Sequence, residues 1–154
     1  MGKIDVGKVP VVKGTRYPAP HDVPCREREN TAVGLAAGLT QFGVNLTRLK
    51  PGVWSSQRHW HAKEDEFVYV LEGEVVLVTD AGEETMRAGQ CAGFKAGVRN
   101  GHCLQNRSRH DALILTVGSR DNEDWGEYQD IDMKFLPGRY SSGGGYTKKD
   151  GTPL

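Results

Sequence analysis

Apolar and polar residues alternate in short runs through the middle of the chain, and turn residues cut the runs. Residues 39–49 place Phe42, Val44 and Leu46 on one face and Gln41, Asn45 and Thr47 mostly on the other, a period of two that predicts a strand ended by Pro51-Gly52. Residues 53–62 read as a second strand, with His59 and His61 on one face and Trp60 on the other. The β-branched and aromatic runs 66–71 and 74–79 flank Glu72-Gly73 as a hairpin. Further short strands follow at 83–87, 91–94, 102–106 and 112–117, separated by turns at Asp80-Ala81-Gly82 and Ala88-Gly89 and by loops. About eight short strands at this spacing predict an all-β sandwich or barrel. No helical period holds for long.

The flanks differ from this centre. Residues 1–30 hold Pro10, Pro18, Pro20 and Pro24, which argues for an extended or irregular arm because proline removes a ladder donor. Residues 31–38 are small and weakly patterned and read as a loop. After Gly118 come six acids between Asp121 and Asp132, read as solvated surface, then Ser141–Gly145, flexible by composition. The expected organisation is an N-terminal arm over 1–38, a barrel over 39–118 and a C-terminal arm or tail over 119–154. Twenty glycines among 154 residues, roughly twice the usual share, suit a fold with many tight turns. Twenty basic and 20 acidic residues cancel, so bulk charge steers neither nucleic acid nor an anionic membrane to the chain. No apolar run approaches a membrane span, and the first residues lack the apolar core of a secretory signal, so the expectation is a cytoplasmic protein. Cys25, Cys91 and Cys103 are an odd set without CxxC spacing and are expected as reduced thiols.

One constellation carries chemistry. His59 and His61 share a strand face, Glu66 follows after a tight turn, and His102 opens a later strand that can face the first pair across a closed barrel. Three imidazoles and a carboxylate suit one divalent transition metal ion (Fe, Mn, Ni, Cu, Co or Zn) and leave positions open for a substrate, water or dioxygen. A lone histidine is usually a surface or satisfied core residue, but this set is hard to explain as packing. His21 and His110 sit in polar contexts and read as exposed. Gln57, Glu64 and Asn106 are candidates to accept the second ring N–H of a ligand histidine. Glu64 and Tyr69 are the candidates for proton transfer. At most one of Asn45 and Phe42 faces the lumen, since their parities differ. Arg58 and Arg99 are candidate anion binders at the mouth, with solvated arginine as the default. Trp54 and Trp60 read as packing residues, Trp125 as a staple for the C-terminal arm. Cys103 has the wrong parity to be a ligand.

These residues resemble the two motifs of the cupin superfamily, specifically its small single-domain members. Gly52, His59-Trp60-His61, Glu66 and Gly73 match the first motif with a slightly long first gap. Gly89, Lys95-Ala96-Gly97, His102 and Asn106 match the second, with Lys95 where proline is usual and a long gap before His102. The resemblance implies a double-stranded β-helix, or jelly-roll barrel, and a homodimer as the commonest assembly. It implies a small-molecule ligand but constrains function little. Two readings follow: a metal-dependent enzyme, whether dioxygenase, isomerase or lyase, acting on a small polar substrate, or a non-catalytic binding or sensing module. The catalytic residues remain unknown at this level.

Overall fold

The computed structural model describes residues 2–154. Its regular elements are β1 (Val11–Lys13), β2 (Glu29–Thr31), a single helical turn α1 (Val33–Ala36), β3 (Phe42–Leu49), β4 (Glu66–Glu72), β5 (Glu74–Thr79), β6 (Gly82–Arg87), β7 (Cys91–Phe94), β8 (Cys103–Gln105), β9 (Ala112–Ser119), β10 (Gly126–Glu127), β11 (Lys134–Phe135) and β12 (Tyr146–Thr147). A six-stranded sheet runs β1-β2-β3-β9-β4-β7, and a three-stranded sheet β6-β5-β8 lies opposite it. A second three-stranded sheet, β10-β11-β12, is built from the C-terminal segment. The strand pairs are antiparallel. The expected all-β jelly-roll is therefore the fold, though its sheets do not close into a ring. Among the described residues no helix is long and apolar enough to cross a membrane.

Alternation sets which side chains enter the interior. Val68 and Val70 of β4, Val75 and Leu77 of β5, Leu49 of β3 and Ile114 of β9 meet in one buried cluster with Met86 and Leu104. Register then grades this interior from one end to the other. Leu49 lies opposite Ala112, and Thr47 opposite Ile114, which pairs with Val70. Two steps along, Asn45, Thr116 and Val68 form one cross-strand row; two further on, Gly43, Gly118, Glu66 and Phe94 form the next. The sheet is thus apolar at one end and polar and roomy at the other, and Glu66 sits at the roomy end.

Three expectations need correction. Residues 53–62 form no continuous strand. Trp54 bridges to Gln105 and His59 bridges to both His102 and Tyr128, so the segment changes partner along its length and no ladder propagates. Residues 33–36 form a helical turn rather than plain loop, because Gly34 lets it approach β3, where an added Cβ would meet the Val44 nitrogen at 2.8 Å. The glycine-rich run near 141–145 does not hang free: Leu136 N–H donates to the Gly145 carbonyl, and Gly138 N–H to that of Asn122. Trp125 does act as a staple, its ring edge-on to Trp60 at 5.2 Å and its carbonyl accepting from Ala62 N–H.

Gly73 turns the β4–β5 hairpin with φ +74°, and a Cβ there would lie 2.6 Å from the Asp111 carbonyl oxygen. Gly73→Ala should therefore cost about 2 kcal/mol or more, since a left-handed backbone and a backbone clash coincide. Urea unfolding of the two proteins side by side measures it.

Candidate metal centre

The backbone brings the histidines together first. His59 N–H donates to the His102 carbonyl and His102 N–H returns the bond to His59, an antiparallel exchange that sets the two side chains side by side, ring centroids 5.0 Å apart. Gly97, at φ +79°, donates its N–H to the His61 carbonyl and pins the backbone at the second histidine. Lys95 at the usual proline position leaves this turn intact, as Val98 N–H still reaches the Lys95 carbonyl. The irregular 53–62 segment keeps His59 and His61 on one side despite lacking a ladder.

The ring nitrogens are then sorted by their partners. His59 Nδ1 donates to the Gln57 carbonyl at 2.8 Å, and His61 Nδ1 donates to the buried carboxylate of Asp124 at 2.7 Å. Their Nε2 atoms face each other at 3.1 Å. Glu66 Oε2 lies 3.5 Å from His61 Nε2 and 3.5 Å from His102 Nε2. His102 is buried with its ring stacked on Phe94 at 3.6 Å, and neither of its nitrogens has a hydrogen-bond partner. Burial pushes His59 down to about 3, helped by the neighbouring His61 and His102. Burial also pulls on His61, but its hydrogen bonding to the Asp124 and Glu66 carboxylates outweighs it and holds His61 up at about 9. Burial would raise Glu66, and the surrounding imidazoles keep its carboxyl well below the ordinary range.

The structure therefore gathers all four expected ligand residues: His59, His61 and Glu66 offer donor atoms to one point, and His102 borders it. The supporting residues fare differently. Gln57 contributes its carbonyl, while its side chain donates to the His21 carbonyl at 2.7 Å. Asn106 is fully buried but ties the 106–110 loop to the Leu49 and His110 carbonyls, away from the centre. Tyr69 alternates with Glu66 and Val68 on β4 and faces away from the cavity. Asn45, not the exposed Phe42, lines the cavity. Arg58 is consumed by Asp80 and Asp130, and Arg99 lies over the Trp60 ring. Glu64 is buried behind His61, 3.8 Å from Nδ1, where it accepts from Asp121 N–H, Arg139 and the Tyr140 hydroxyl.

Sequence reasoning missed the C-terminal half of the site. Asp124, read as one acid in a solvated run, is 1 % exposed and bonds His61, Lys63 N–H and Arg139. Arg139 also lies over Phe135, and Tyr128 packs 5.7 Å from His59. No short-range motif marks these residues. The one available signal was Trp125 within the acidic run, an aromatic that a solvated tail has no use for. Tyr128, Phe135 and Arg139, together with 12–17 and 28 from the N-terminal arm, line a cavity of about 680 Å³ that opens on the His/Glu cluster.

Comparison with known proteins agrees with this architecture. Residues 45–118 match the family model described as Cupin domain. A crystal structure of a sugar phosphate isomerase from a cupin superfamily of Silicibacter pomeroyi is 44% identical, with 99% of this chain and 96% of that one aligned at a TM-score of 0.95. A structure from Acidithiobacillus ferrooxidans, 24% identical over 83% of this chain and 80% of its own, aligns at 0.75. A polyketide cyclase from Streptomyces resistomycificus, 19% identical over 79% of this chain and 80% of its own, aligns at 0.63, and these two likenesses concern the fold alone. No curated protein sequence matches. The chain belongs to the cupin superfamily.

Proposed function

We propose that this protein is a metal-dependent isomerase of sugar phosphates. The observation that carries the reading is the 44% identity to a sugar phosphate isomerase over nearly the whole of both chains, arms included, since the arms supply much of the cavity wall. Aldose–ketose interconversion is an internal exchange: one proton moves between neighbouring carbons and one between their oxygens, with no oxidant or second substrate.

The donor set fits a divalent ion. Two Nε2 atoms lie 3.1 Å apart while both Nδ1 atoms are engaged as donors, so the pair needs a proton or a metal cation between them, and a divalent ion can take the proton's place. His102, buried with both nitrogens unpaired, costs stability unless something ligates it. His59, His61, Glu66 and His102 would hold the ion. When bound, such an ion polarises a sugar carbonyl and the adjoining hydroxyl as a Lewis acid. The chain itself supplies the rest. Tyr17, Tyr128, Phe135 and Tyr146 wall the cavity and limit water. The Tyr140 hydroxyl borders the cavity and donates to Glu64 Oε2 at 3.0 Å, so this pair can hold a proton at Oη or pass it to the carboxylate. Arg139 and the Asp121 N–H keep Glu64 oriented.

Metal-replete protein incubated with aldose and ketose phosphates in heavy water should interconvert them with deuterium incorporation, read by proton NMR. Failure to turn over any member of such a panel, with the site filled, would overturn the reading. Tyr140→Phe should lower kcat by about 10²-fold at unchanged metal content, the usual contribution of a proton-transfer group. His102→Leu should bind less than about a tenth of the wild-type metal. In chelator the same variant should be as stable as wild type or about 1 kcal/mol more so, because it removes a buried imidazole without breaking a hydrogen bond. Elemental analysis and urea unfolding measure the two effects.

A further inference from the structure

The charge of the cavity is unevenly settled. Lys13, Arg16, Arg28, Arg120 and Arg139 all line it. Lys13 pairs with Glu27 at 2.6 Å, and Arg139 pairs with Glu64 and Asp124. Arg120 lies over the Tyr140 ring and donates to the Leu39 carbonyl. Among the described residues Arg16, Arg28 and Arg120 have no carboxylate partner, but Arg120 is held against the Tyr140 ring and the Leu39 carbonyl, whereas Arg16 and Arg28 come together on the N-terminal arm. Arg28 is held from two sides: Nη1 donates to the Ser55 carbonyl and Nη2 to the Gly14 carbonyl at 3.2 Å, while its own carbonyl accepts from Gly14 N–H at 2.7 Å. Its Nε is buried with no partner at all. Arg16 stands on the loop that Arg28 fixes, exposed and without a hydrogen bond, beside Tyr17 of the aromatic wall.

We propose that Arg16 and Arg28 form an anion subsite that takes the phosphoryl group of the substrate, with Arg16 the direct contact and Arg28 its fixed neighbour; the assignment rests on the sugar phosphate reading above. The partly desolvated Arg28 guanidinium is costly without a counter-ion, and a dianionic phosphoryl group offers paired oxygens that match the planar donors of Arg28 and of the exposed Arg16. Two of the five N–H donors of Arg28 are occupied by carbonyls, so donors remain while the group stays rigid. The layout suits a molecule with one anionic end. Tyr17 packs 5.4 Å from Tyr128, which packs 5.7 Å from His59, so the aromatic wall runs from the arginines to the His/Glu cluster. A phosphoryl group at Arg16 leaves the sugar along that wall with its carbonyl end toward the cluster. A neutral sugar would leave both guanidiniums unpaired.

The test is calorimetric titration of the metal-replete protein with inorganic phosphate, repeated on Arg16→Gln, Arg28→Lys and, as a control, Lys13→Gln. Wild type should bind phosphate, and phosphate should compete with a sugar phosphate. Arg16→Gln should weaken binding about tenfold or more at unchanged metal content and melting temperature, as loss of a charge-assisted contact does. Arg28→Lys should weaken it similarly by losing the planar fork, and Lys13→Gln should change it less than about twofold. Should Arg28→Lys misfold, the exposed Arg16 variant still decides. Absence of phosphate binding by wild type, or equal binding by Arg16→Gln, overturns the subsite. Loss of phosphate binding in Arg16→Gln, in a protein that isomerises no sugar phosphate, supports the subsite and sinks the isomerase reading. Turnover of sugar phosphates with an unchanged KM in Arg16→Gln does the reverse.

Discussion

Two imidazole nitrogens that face each other across 3.1 Å are the constraint on which the rest of this structure depends. Each ring has its Nδ1 committed to an acceptor, so when both rings are neutral each Nε2 presents a lone pair. Such a pair tolerates its neighbour only with a positive charge between or beside them. The chain by itself supplies that charge as a proton on His61, which Asp124 and Glu66 favour, while burial and the neighbouring imidazoles disfavour one on His59. Glu66 supplies the nearby negative charge, and its own carboxyl stays ionised because the imidazoles favour it. The backbone exchange between His59 and His102 and the Gly97 contact to His61 hold the rings where this conflict persists rather than letting them swing apart.

The fold can hold such a site because it separates two tasks. One end of the interior is a dry cluster of valine, leucine and isoleucine between the two main sheets. Burying side chains of that kind contributes about 1.5–3 kcal/mol each, enough to carry an end that contributes little or nothing. At the other end the same strands present Gly43, Asn45, Thr116 and Gly118, and the small residues leave the volume that Glu66 and the histidines face. A second aromatic cluster of Tyr128, Met133 and Phe135, backed by Tyr17 and Tyr146, lids this end with pieces of both arms.

The legible part of this arrangement was the part governed by local periodicity. The strands over 74–79, 91–94 and 112–117 follow from alternation, and the gathering of His59, His61 and Glu66 follows from HxH phase and the position of Glu66. What escaped was set by contacts distant in sequence. The 53–62 segment has strand-like alternation, but its partners change from Gln105 to His102 and Tyr128, and period alone cannot register a change of partner. Asn106 shares the parity of His102 yet turns to cap its own loop, because the carbonyls of Leu49 and His110 are nearer than any ligand. Tyr69 was a candidate by type and fails by phase. Asp124 looks like its acidic neighbours until the chain returns 63 positions later to the far side of His61.

That return makes the C-terminal segment part of the chemistry of the centre rather than an appendage. Asp124 orients the His61 ring, Arg139 pairs with both Asp124 and Glu64, and the Tyr140 hydroxyl donates to Glu64. Hydrogen bonds in such a chain polarise one another. A cation drawing on His61 Nε2 makes Nδ1–H a stronger donor, which tightens the bond to Asp124. The linkage is reciprocal by thermodynamic necessity: whatever docks the segment carrying Asp124 and Arg139 sharpens the ligand, and whatever occupies the ligand cluster holds that segment down. The same segment carries Tyr128, Phe135 and Tyr146, so one stretch of chain both walls the cavity and buttresses the His/Glu cluster.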